Sequence, residues 1–204
     1  REKTVPLLLG CIADDFTGAT DVANEIQQQG LRTVLLVGNP EAEIDVSQAD
    51  AVVIALKIRT IEPEKAVREV LTALRFLQIR QANSIYFKYC STFDSSKKGN
   101  IGPITDALLD AMGETFTIVS PAFPRTGRTI FKGYLFVNDL LLSESHMRHH
   151  PLTPMTDSHL VRLMDAQSQG ETALVQHAVV RQGANAIRQA LNGPAGSADK
   201  PVLD

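Results

Sequence analysis

The sequence predicts an α/β fold: a mostly parallel sheet flanked by helices, with a small extended excursion. Three observations carry this. Apolar runs too short for helices recur through the first half of the chain. They alternate with longer segments whose apolar residues repeat at helical spacing. The connections entering the runs are bland, as in Gln27-Gln28-Gln29-Gly30 and Arg80-Gln81-Ala82-Asn83, whereas those leaving them are crowded with Asp, Arg, Lys, Ser, Thr and Gly. In a parallel sheet all leaving connections lie on one edge, and that edge is where ligands bind.

The first run, Leu7 to Ala13, reads as a buried strand. A helix follows with Ala19, Val22, Ala23 and Ile26 on one face, Thr17 as its expected N-cap and Gly30 at its end. Thr33 to Val37 is a second strand, and Gly38-Asn39-Pro40 a turn. Ala51 to Leu56 is uniformly apolar, as a central strand covered on both faces must be. Thr60 is the expected cap of the next helix, with Pro63 in its first turn and Ala66, Val67, Val70, Leu71, Leu74 and Leu77 facing inward. Ser84 to Lys88 is the next strand. The helix after it carries Pro103 early and buries Ile104, Ala107, Leu108 and Ala111. Phe116 to Val119 reads as a strand, and Ile130 to Val137, around Gly133, as a hairpin-like excursion. Further helices are expected over Asp157 to Gln167, capped by Thr156 or Asp157, and over Arg181 to Leu191, with a strand at Ala173 to Val175 between them.

Composition narrows the function. The chain has 204 residues, 44% hydrophobic and 21% charged, enough to bury a core as one domain or a tight pair of lobes. Net charge is -3 with signs interspersed, which argues against a nucleic-acid partner, whose footprint would be a basic stripe. No run reaches the roughly 18–20 apolar residues of a membrane span, so no membrane partner is expected. Cys11 and Cys90 lack metal-ligand spacing and read as free thiols of a reducing cytoplasm. His146, His149, His150 and His159 crowd together, but Pro151 and Pro154 make that stretch extended, and no metal site is expected.

The densest stretch is Asp14-Asp15-Phe16-Thr17-Gly18-Ala19-Thr20-Asp21, where a strand hands over to a helix. Asp21 lies near the positive end of that helix and reads as structural. Two adjacent carboxylates at such a junction mark the floor of a site. By the edge argument, Asp14, Asp15, Thr17, Arg59, Lys88, Ser91, Thr92, Asp94 and Arg128 converge. Arg59 and Lys88 supply cations, and arginine grips a carboxylate or phosphate through two parallel hydrogen bonds. The hydroxyls of Ser91 and Thr92, with the carboxylates of Asp14, Asp15 and Asp94, suit a small acid bearing several hydroxyl groups. No phosphate-loop or dinucleotide fingerprint is present. Ser96-Lys97-Lys98-Gly99-Asn100 and Arg125-Thr126-Gly127-Arg128-Thr129 are weak phosphate-contact patterns.

The segments Ile12 to Asp21, Tyr86 to Ser95, Gly99 to Pro103 and Gly133 to Val137 resemble the four-carbon acid sugar kinase family. Met147-Arg148-His149-His150-Pro151 and Pro154-Met155-Thr156-Asp157-Ser158 resemble its branch acting on 3-oxo-tetronates. The resemblance implies the N-terminal lobe of a two-lobed enzyme: residues 1–204 as a sugar-acid-binding domain, with a C-terminal nucleotide-binding lobe absent from this chain. It implies ATP-dependent phosphorylation of the terminal hydroxyl of a 3-oxo-tetronate or related tetronate, with ATP and Mg2+ held mainly by that other lobe. Asp14 or Asp15 becomes the candidate base or orienting group, Arg59 and Lys88 the holders of the substrate carboxylate, and Ser91, Thr92 and Asp94 the readers of its hydroxyls. The sugar acid and the C-terminal lobe are the implied partners, in a cytoplasmic enzyme for which a homodimer is admitted. The lone fragment is expected to transfer no phosphate. Two alternatives share the same residues: a non-catalytic sugar-acid-binding module, and a magnesium-dependent phosphohydrolase built on the acidic pair.

Overall fold

A computed structural model describes residues 6–94, 96–193 and 198–204. The chain divides into two compact units, Arg1–Tyr89 and Cys90–Asp204.

The first unit is built on strands β1 (Leu9–Ala13), β2 (Thr33–Val37), β3 (Ala51–Ala55) and β4 (Ile85–Lys88). They pair in the order β2-β3-β1-β4, every pair parallel. Every residue of β3 is buried, which is why its sequence is apolar without alternation. The connections are helices α1 (Phe16–Gln28) and α2 (Pro63–Ile79). Successive strand residues point to opposite faces. Cys11, Ala13, Ala51, Val53 and Ala55 pack with Ala19 and Ile26 of α1. Gly10, one position out of phase, meets α2 instead, since a Cβ there would lie 2.8 Å from Leu77 Cδ1. Burial pushes the Cys11 thiol up to about 12, so it behaves as an apolar filler.

Both predicted caps in this unit move. The N-cap of α1 is Asp15, not Thr17: its backbone is extended and its side chain accepts from the Gly18 N–H. Carboxylate and hydroxyl are both good caps, but the helix starts two residues too early for Thr17 to serve. Likewise α2 begins at Pro63 behind Glu62, which makes no side-chain cap bond, and Thr60 sits in the preceding turn. Proline at the first helical position needs no N–H partner and fixes the start.

In the second unit, α3 (Ile101–Met112) ends at Gly113 in the left-handed conformation, a helix stop that glycine adopts without steric cost. The predicted excursion is a meander of β5 (Arg128–Phe131), β6 (Tyr134–Val137) and β7 (Leu140–Leu141). Lys132 and Gly133, both with positive φ, form its two-residue turn. Asp204 braces that turn by accepting from the backbone N–H groups of Lys132 and Gly133 at 2.7 Å. Helix α4 (Leu160–Asp165) is shorter than expected, and its N-cap is His159 rather than Thr156 or Asp157. Asp157 instead accepts from the His159 N–H and pairs with Arg162.

The strand expected at Phe116 to Val119 is reduced to a single bridge, Val119 to Val202. It borders the small parallel pair β8 (Leu174–Val175) and β9 (Val202–Leu203). A short helix that was not expected is α5 (His177–Val180). The last expected helix, Arg181 to Leu191, is α6 (Ala184–Leu191), starting after Gly183 at φ 90.

Helix α3 meets the turn that follows α4 closely at Gly102. A Cβ there would fall 2.6 Å from backbone atoms of Gln167, and the Gly102 N–H donates to Gln167 Oε1 at 3.0 Å. Backbone cannot swing aside as a side-chain tip can. Gly102→Ala is therefore expected to cost about 2 kcal/mol or more through overpacking, read as a lowered urea midpoint. An unchanged midpoint would show that the helix and the turn separate freely.

Candidate functional site

The strand order explains how sequence-distant residues gather in the first unit. From β1 the chain crosses to β2 on one side, and from β3 it crosses to β4 on the other. Adjacent strands whose connections diverge leave a crevice at their carboxyl ends, where open α/β sheets bind ligands. The residues leaving β1 there are Asp14 and Asp15, and the loop leaving β3 holds Arg59.

Asp14 continues the ladder beyond β1: its N–H donates to the Lys88 carbonyl at 3.0 Å, and its carbonyl accepts from Ile58 at 3.1 Å. Ile58 is itself buried and anchors the loop. The Arg59 guanidinium donates twice to Asp14, Nε to Oδ2 and Nη2 to Oδ1, each at 2.9 Å. The same Nη2 lies 2.9 Å from Asp15 Oδ2. Asp14 is only 5% exposed at its side chain, against 29% for Asp15 and 21% for Arg59. Burial pushes the Asp14 carboxyl above its ordinary value, and Asp15 adds to the rise. The Arg59 bond and charge, with the Lys88 charge, pull the other way. The anchored carboxylate is thus Asp14, and the accessible one Asp15.

Gly18 makes this packing possible. A Cβ there would lie 2.7 Å from Asp15 Oδ1 and 3.1 Å from Lys88 Nζ. The Lys88 ammonium donates to the Tyr89 carbonyl at 2.8 Å. Four of the predicted site residues, Asp14, Asp15, Arg59 and Lys88, therefore share one corner. Thr17 lies exposed in the first turn of α1.

Ser91, Thr92 and Asp94 belong to the second unit. Thr92 and Asp94 are buried, at 4% and 6% exposure. Between them Phe93, wholly buried, takes a left-handed backbone with φ 45, and its N–H closes a turn onto the Cys90 carbonyl at 2.9 Å. Cys90 Sγ and Thr92 Oγ1 are 2.9 Å apart. Residue composition did not single out His150, whose Nδ1 lies 4.0 Å from Asp94 Oδ1 and accepts from the Thr153 N–H at 3.2 Å. Arg128 sits at the start of β5, donating to the Thr126 carbonyl. Ser95, part of the quoted resemblance, lies outside the described residues. Among the described residues no group of three or more His, Cys, Asp or Glu is arranged to hold a metal.

The sequence profile of the sugar-binding N-terminal domain family matches residues 9–203. A Pectobacterium atrosepticum protein named 3-oxo-tetronate kinase is 57% identical over 90% of this chain, which spans 43% of that relative's length. A crystal structure of a Haemophilus influenzae protein superposes with a TM-score of 0.92 at 50% identity, covering 96% of this chain and 47% of that one. A Bordetella bronchiseptica protein, solved with bound citrate as a domain-swapped dimer, superposes with a TM-score of 0.78 at 29% identity over 97% of this chain and 47% of its own.

Proposed function

The chain belongs to the four-carbon acid sugar kinase family as its sugar-binding N-terminal domain, and on that premise we propose that it is the substrate-holding half of an ATP-dependent kinase acting on a 3-oxo-tetronate or related tetronate. The supporting observation is the corner of Asp14, Asp15, Arg59 and Lys88 at the switch point of the sheet. It pairs fixed cations, which suit a carboxylate, with a partly exposed carboxylate, which suits a hydroxyl. The citrate bound by the Bordetella relative is a hydroxylated polycarboxylate of the same chemical kind.

The roles divide by burial. Asp14 commits both oxygens to Arg59 and so fixes the guanidinium. Arg59 and Lys88 take the substrate carboxylate. Asp15, tethered by its cap bond to Gly18, orients the terminal hydroxyl and draws off its proton. Ser91, Thr92 and Asp94 follow Lys88 directly in the chain, and we assign them to the remaining hydroxyls on the sequence resemblance. ATP with Mg2+ supplies the phosphoryl group when bound. Neither a glycine-rich phosphate loop nor a metal-holding group occurs among the described residues, so both are assigned to the C-terminal lobe. The proposal includes a cytoplasmic location and, after the Bordetella relative, a homodimer. No described helix is long and apolar enough to cross a membrane.

The test uses the complete enzyme with tetronates and oxo-tetronates. Asp15→Asn is expected to lower kcat by about a hundredfold or more while tetronate still binds. Near-normal turnover would remove Asp15 from the mechanism, and ATP consumption with none of these acids would sink the substrate class.

A further inference from the structure

The second unit contains a groove of about 710 Å³, within the size range of small-molecule sites. Its floor is apolar, with Met155 and Leu163 almost wholly buried. Its rim is charged, and the charges do not balance. Arg162 faces Asp157 through two hydrogen bonds of 2.8 and 2.5 Å, so that pair is neutral. Asp165 accepts from the Thr172 N–H at 3.1 Å. Lys97 and Lys98 remain, both exposed, and among the described residues neither forms an ion pair. They are consecutive central residues of a tight turn, closed by the Gly99 N–H on the Ser96 carbonyl at 2.7 Å, so both ammonium groups issue from one bend.

Among the described residues Lys97 and Lys98 are unpaired cations on one turn, and each ammonium, acting as a separate point charge, can meet a different oxygen of one anionic group. Asp165 leaves the rim with one net positive charge. The apolar floor calls for a ligand with a body as well as a charge. We propose that this groove binds a small organic phosphate, its dianionic group on Lys97 and Lys98 and its apolar part over Met155 and Leu163. All its residues lie in the second unit, and none is among those assigned above to the sugar acid.

Calorimetric titration of this chain with phenyl phosphate, inorganic phosphate and benzoate tests the proposal. Phenyl phosphate is expected to bind about tenfold tighter than inorganic phosphate, through the buried ring. It should also bind more tightly than benzoate, which carries a single charge. The double variant Lys97→Gln/Lys98→Gln is expected to weaken phenyl phosphate about tenfold with an unchanged melting temperature. No saturable binding of phenyl phosphate, or equal affinity in the double variant, would overturn the assignment. Equal affinity for phenyl and inorganic phosphate would reduce the groove to an adventitious anion site and overturn it as well.

Discussion

Replacing Arg59 with Leu is expected to destabilise the first unit by about 3–5 kcal/mol near neutral pH, because it strands a buried carboxylate. Asp14 has almost no water to turn to, and its two guanidinium bonds are its compensation for burial. The pH dependence identifies the cause. The Asp14 carboxyl already lies above its ordinary 3.8, because burial outweighs Arg59. A raised carboxyl pKa means the folded state keeps its proton longer than the unfolded chain. That contribution is present below 3.8 and lost as pH rises through the raised value. Removing Arg59 raises the value further, so the penalty should shrink as pH falls and the carboxyl takes up a proton. Denaturant midpoints of the variant and parent from about pH 5 to 8 give the answer. A pH-independent difference would mean that Arg59 acts through packing instead. Asp14→Asn provides the contrast: it removes the buried charge at constant shape, so stability should hold while the grip on Arg59, and with it tetronate affinity, weakens.

A second large effect is expected at Lys200. Its side chain is 3% exposed, its ammonium lies 2.9 Å from Asp106 Oδ1, and it also donates to the Gln169 carbonyl. Asp106 in turn accepts from the Gln169 N–H at 2.7 Å. Lys200→Met fills the same volume but leaves Asp106 unpaired beside a carbonyl that has lost its donor. A loss of about 3 kcal/mol is expected, seen as a clear drop in the urea midpoint. Asp106→Leu added to Lys200→Met should recover part of it, since replacing both members of a buried pair by apolar groups is often close to neutral. No recovery in the double variant would show that the lysine matters chiefly for its bond to Gln169.

Much of the first unit was legible from the chain alone, for a physical reason. Parallel strands buried on both faces must be apolar runs, and their helices must show a single inward stripe. Leu7 to Ala13, Ala51 to Leu56 and the helix after Pro63 all do so. The polar contrast between the two ends of those strands gave the site edge, and the β-hairpin at Gly133 was equally plain. The pairing order was not legible. Without it nothing indicated that β1 would sit beside β3, or that Arg59 would spend its fork on Asp14. The cap of α1 was missed because Asp14, Asp15 and Thr17 can all cap, and that of α2 because Pro63 rather than a capping side chain sets the start. In each case a shift of two positions is small in sequence yet decides which side chain turns inward. The second unit was read less well. Its strand at Ala173 to Val175 was read and is present as β8 (Leu174–Val175), but the one expected at Phe116 to Val119 shrinks to a lone bridge, too short for its pairing to be read. The later start of α6 hangs on one glycine, Gly183, and the four-residue α5 before it is too short to show a helical period. Chemistry-bearing residues such as His150 were visible only as a crowded run of imidazoles, with no hint that one of them neighbours Asp94.

The left-handed bend at Phe93 confines that position in two ways at once. Glycine would relieve the backbone, which costs an L-residue roughly 1–2 kcal/mol in that region, but would empty a core volume whose loss costs about 3–5 kcal/mol. A smaller apolar side chain would keep the contorted main chain and still leave a void. No single exchange serves both demands, so an aromatic ring is trapped between Thr92 and Asp94 by opposing penalties, and the two polar groups inherit its rigidity.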